Sequence, residues 1–219
     1  MRAAIAALLF AAGSAAAAPF AVRLGLERVV LDAPFGFSDT TELASPRLNE
    51  LAESLTSASN RILLFAIADT DLRSFTVGER LELRRYMIAV TPKGLERERV
   101  SAALFSAFVH DSLRELGAAA PQGDLRGYLD SQPHGKASLI AELRKEPEIV
   151  SVLQGTRLPS TTGWGEEPKY LLSTTTLLLV RGKALNVAVY TGYEGAADLE
   201  WIRFVTARWI EELRRLNAR

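Results

Sequence analysis

The chain has 219 residues, 48% hydrophobic and 24% charged, a globular composition with enough apolar material for one sizeable core. Its 26 Lys and Arg balance 26 Asp and Glu, so the basic excess that drives phosphate neutralisation is missing and nucleic acid is not expected as a partner. Cysteine is absent and only two histidines occur, which removes disulfides and thiol chemistry and leaves few metal-ligand sets; no cofactor is expected.

Met1-Arg2 is a short positive start, Ala3 to Ala12 an apolar run, Gly13-Ser14 a break, and Ala15 to Ala18 a set of small residues. This is the order of a secretory signal peptide. Cleavage is expected after Ala17, leaving residues 18–219 as a single domain that is periplasmic or secreted. No later run approaches the length of a membrane-spanning helix, so no span is expected in the mature chain.

Arg28 to Asp32 reads as a first strand, Pro34-Phe35-Gly36 as its turn and Phe37 to Thr40 as a return. Ser45-Pro46 opens a helix carrying Leu48, Leu51 and Leu55 at helical spacing, with Asn60 as its stop. Arg61 to Asp69 is a nearly continuous apolar run, the pattern of a strand covered on both faces. Tyr86 to Val90 is a strand stopped by Thr91-Pro92. A second helix runs from about Glu96 to Leu116, and Gly117 ends it. Residues 118–168 are rich in Gly and Pro and are expected as an irregular insertion, with one strand within 148–158. Tyr170 to Val180 and Leu185 to Val189 form a hairpin around Gly182-Lys183, and Asp198 caps a last helix reaching about Leu216.

Strands and helices in this order make an α+β fold, a mixed, mostly antiparallel sheet with helices packed on it. The opening Val29-Val30-Leu31-Asp32-Ala33-Pro34-Phe35-Gly36-Phe37 and the hairpin from Tyr170 to Tyr190 with its following helix resemble the PsbP-like and Mog-like α/β/α sandwich family, which also includes DcrB-like envelope proteins. The resemblance implies a small accessory protein that acts by binding a partner. It transfers no functional residue.

Catalytic motifs fail one by one. Gly135-Lys136 lacks the phosphate-loop glycine, since Asp130 stands there, and Ala137 replaces the hydroxyl residue after the lysine. No Gly-x-Ser-x-Gly elbow occurs. His110 falls on the polar side of its helix and His134 in a turn, so both read as solvated. Asp69 and Asp71 follow a buried strand and are the only candidate metal ligands; solvated or helix-capping aspartates, or pairing with Arg73, Arg84 or Arg85, explain them better. On the last helix Trp201 and Phe204 lie off the stripe of Leu199, Ile202, Val205, Trp209, Leu213 and Leu216, on the side of Arg208. Trp201, Phe204 and Arg208, joined by Trp164 from its Gly-flanked loop, are the candidate partner-binding residues. Burial of the two helix rings by the segment from Pro121 to Pro168 is the competing expectation.

The expected function is that of an exported, non-enzymatic envelope accessory protein that binds another envelope protein. A metal-assisted hydrolase using carboxylates such as Asp69 and Asp71 is one alternative, and a small-ligand carrier is another.

Overall fold

In a computed structural model of the chain, the described residues are 18–218 without 80, 82, 122 and 160–168. The expected signal peptide and the loop around Trp164 therefore lie outside them. Seven strands form the main sheet: β3 (Phe37–Asp39), β4 (Asn60–Ala68), β5 (Arg85–Pro92), β6 (Ala137–Glu146), β7 (Ile149–Arg157), β8 (Tyr170–Val180) and β9 (Lys183–Gly192). Their order is β3-β4-β5-β9-β8-β7-β6, and each neighbouring pair runs antiparallel. The hairpin β1 (Phe20–Leu24) and β2 (Glu27–Leu31) stands as a separate two-stranded sheet.

Side chains of a strand alternate between faces, so a sheet covered on both sides needs apolar residues at every position. On β5, Met87 and Ala89 join one core cluster and Tyr86, Ile88 and Val90 another. The first face is covered by the β1–β2 hairpin and by helix α5 (Ala196–Asn217), through Val29, Leu31, Ile202, Trp209, Ile210 and Leu213. The second is covered by α1 (Pro46–Ser54), which buries Leu48 and Ala52, and by α3 (Ala102–Leu113), which buries Phe105. The result is an α/β/α sandwich of the α+β class.

Several local expectations change. Within 118–168, β7 falls where one strand is expected, but helix α4 (Leu125–Asp130) and strand β6 stand where only irregular chain is expected; residues 122 and 160–168 lie outside the described residues. β6 is an edge strand, and its charged Glu142-Leu143-Arg144-Lys145-Glu146 reads as loop because edge strands carry charges to block further pairing. Helix α2 (Asp69–Thr76) is not expected from the sequence; Asp69-Thr70-Asp71 form its first turn, in keeping with the helix-end alternative for these aspartates, and the carboxylates there meet the positive end of the helix dipole. Asn60 begins β4 rather than ending α1. The β8–β9 turn is Arg181-Gly182, with φ of 51° and 72°, so both central residues take the left-handed conformation a type I′ turn needs. α5 starts after Gly195; Asp198 lies in its first turn and accepts from the Glu194 N–H at 3.0 Å.

Candidate functional site

A groove of about 1200 Å³ lies between α2, α5 and the loop from β2 to β3. The loop is a tight turn. The Phe37 N–H donates to the Pro34 carbonyl at 3.0 Å, and Gly36 takes φ 85°. That places a glycine where a type II turn requires positive φ and puts Phe35 at the outer corner. Phe35 is accordingly 83% exposed. The Asp69 N–H donates to the Gly36 carbonyl at 3.0 Å, which ties the turn to the start of α2. Asp69 Oδ1 also accepts from Ser38 Oγ at 2.7 Å.

Three of the four candidate partner-binding residues, Trp201, Phe204 and Arg208, line this groove together with Asp69. Trp201 is half-buried. Phe37 lies 6.1 Å from its ring, and the Arg85 guanidinium sits 4.1 Å over it. Among the described residues, Phe37 of β3 and Arg85 of β5 cover the ring. Phe204 is 60% exposed, with the Arg208 guanidinium 5.7 Å over its ring. The buried side of α5 is rotated from the expected stripe: Thr206, Ile210 and Asn217 are buried, while Leu199, Val205 and Leu216 are half-buried. Trp164 lies outside the described residues.

Asp71 is in the first turn of α2 but does not line the groove. Among the described residues, no group of three or more His, Asp or Glu side chains is placed to hold a metal ion. His110 is exposed on α3 and His134 is exposed in its turn.

Sequence reasoning missed Asp32. It follows β2, and its backbone carbonyl accepts from Trp209 Nε1 at 2.9 Å. Its Oδ1 is buried with no hydrogen-bond partner among the described residues. Burial raises its pKa above the ordinary carboxylate value; the Ala33 backbone bond opposes this, the nearby Glu212 charge adds to it, and Arg215 opposes it least. Glu212 also lines the groove, but Arg215 binds it at 2.9 Å and holds its pKa down. The groove thus offers aromatic rims, an apolar floor of Ala33, Val205 and Trp209, and charged groups of both signs.

No family model matches the chain, and no curated protein matches it. Two solved structures are similar in overall fold. One is a point mutant of protein Mog1, at 11% identity and a TM-score of 0.41, covering 90% of this chain and 94% of its own. The other is the Saccharomyces cerevisiae Ran-binding protein Mog1p, at 13% identity and a TM-score of 0.41, covering 91% of this chain and 94% of its own. The similarity is weak and concerns the Mog1-like sandwich fold only.

Proposed function

We propose that this chain is an exported, non-enzymatic accessory protein of the cell envelope that binds another protein through the α2–α5 groove. One observation carries the binding reading: Phe35, 83% exposed, and Phe204, 60% exposed, belong to the same groove from two separate elements. Exposed aromatic rings around a depression, with an arginine beside one of them, have the composition of a protein-binding hot spot. The Met1 to Ala17 pattern supports the export part of the reading and a periplasmic or secreted location.

A photo-crosslinking residue at position 204, with the chain in its native envelope, tests this. A defined adduct from 204 that is absent from position 110 on α3, and that Phe35→Ala weakens, is the expected result. Adducts of the same pattern from both positions, or none from 204, overturn it. The groove volume of about 1200 Å³ favours a second reading, a small-ligand carrier. Native mass spectrometry of the purified chain showing a stoichiometric small molecule that Phe204→Ala releases would select the carrier.

A further inference from the structure

The end of the molecule away from the groove carries a different surface. β2 and β4 both run from this end toward the groove: Glu27 and Asn60 open them here, and Asp32 and Asp69 follow their far ends. The β1–β2 hairpin turns at Gly25-Leu26, with Leu24 paired to Glu27. Gly25 takes φ 59°, as the first residue of a tight hairpin turn should. Leu26 at the tip is 93% exposed, more than any other large apolar side chain among the described residues.

The tip is braced from below. A Cβ on Gly25 would lie 3.1 Å from the Arg97 carbonyl oxygen and 3.2 Å from Lys183 Nζ. Lys183 is itself buried, and its ammonium donates to the Glu96 and Glu98 carbonyls at 3.1 and 2.6 Å. The protruding leucine is thus held outward by packed backbone and a fixed internal cation.

Arginines surround it. Arg23 and Arg28 flank the turn on the hairpin, and Arg97 and Arg99 come from the loop before α3; all four are exposed. Glu96 pairs with Arg61, and Glu27 lies 3.8 Å from Arg99. Arg23, Arg28 and Arg97 have no carboxylate partner among the described residues, and Glu98 is the remaining acidic group of this loop. Arg23 and Arg97 share the lining of a hollow of about 450 Å³ with Gly25, Leu26 and Glu96.

We propose that this end docks on an anionic phospholipid surface, with Leu26 entering the interface and Arg23, Arg28 and Arg97 meeting lipid phosphates. Guanidinium groups match phosphate geometry, and a leucine among them gains only from a partner that also offers hydrocarbon. A nucleic acid offers the phosphates without the hydrocarbon. Each arginine near an anionic leaflet strengthens attachment about fivefold, so the contact is reversible. Seating the tip on a bilayer leaves the groove pointing away from it. This surface is separate from the groove and does not depend on what the groove binds.

The test is co-sedimentation of the full chain with vesicles of phosphatidylcholine, alone or mixed with phosphatidylglycerol. Binding should favour the mixed vesicles and weaken as salt is raised. Leu26→Ser should weaken it about tenfold, the loss expected for one apolar side chain. Arg23→Gln with Arg97→Gln should weaken it about 25-fold. Phe204→Ala should leave it unchanged, which separates a failure here from a failure of the groove reading. Equal binding to both vesicle types, or a double variant that binds like the parent, overturns the proposal. So does duplex DNA bound as tightly as the mixed vesicles and with no response to Leu26→Ser.

Discussion

The Arg85 guanidinium lies 4.1 Å over the Trp201 ring and, at 3.3 Å, also pairs with Asp198 one helical turn earlier on α5. One residue of β5 thus clamps the start of α5 and covers the ring that lines the groove. Trp201→Ala should cost about 2 kcal/mol, because the ring is half-buried, whereas Trp209→Ala should cost about 3–5 kcal/mol. Trp209 is 2% exposed and also loses its bond to the Asp32 carbonyl. Urea unfolding of the two variants checks the order, and equal losses would contradict the half-buried placement.

Phe204→Ala removes an exposed ring. Stability should stay within about 0.5 kcal/mol of the parent, as for other surface changes. Under the binding reading, the same substitution abolishes partner capture. Thermal unfolding and capture measured on one preparation separate the two effects.

Asp32→Asn probes the half-buried carboxyl whose Oδ1 has no hydrogen-bond partner among the described residues. Its pKa is raised in the folded chain, so folding favours the protonated form. The folded state therefore binds more protons than the unfolded state, and stability falls as pH rises from the ordinary carboxylate pKa through the raised folded value. Asparagine carries no charge at any pH. The variant should gain stability relative to the parent at neutral pH and lose that advantage below the carboxylate range. Melting temperatures across an acidic-to-neutral series test this, and a constant difference at all pH values would contradict it.

Gly155→Ala tests the docking of α4 on β7. A Cβ there would meet Leu129 Cδ2 at 2.6 Å and Ile140 Cδ1 at 3.0 Å. Overpacking of this kind should cost about 1–3 kcal/mol, read as a lower urea midpoint with an unchanged slope. Gly135→Ala is a poor control because its φ of 73° adds strain, whereas Gly94→Ala has open space around it and should change little.

The legible parts of the chain were those with strong local signals. α1 and α5 follow from apolar spacing at the helical period and the Ser45-Pro46 start, and the β8–β9 hairpin from two apolar runs around Gly182-Lys183, one residue past the true turn at Arg181-Gly182. β1 and β6 carry no such local signal. Phe20–Leu24 adjoins the signal-like segment, and the second half of Ala137–Glu146 carries the charges of a strand edge. In α3 the apolar spacing overstated burial: Phe105 is buried, but Leu104 is 42% exposed.

The candidate site divides the same way. The sequence alone placed Trp201, Phe204 and Arg208 on one side of a helix, because positions three and four apart on a helix are neighbours. It also excluded cysteine chemistry outright. It could not bring Asp32, Phe35 and Asp69 to that side. Those meetings depend on contacts between residues far apart in the chain, such as Arg85 with Asp198 across 113 positions and Trp209 with the Asp32 carbonyl across 177. Periodicity reports which way a side chain faces within its own element. Only the packing of elements decides what it faces, and that set both the depth of Trp201 and the braced exposure of Leu26.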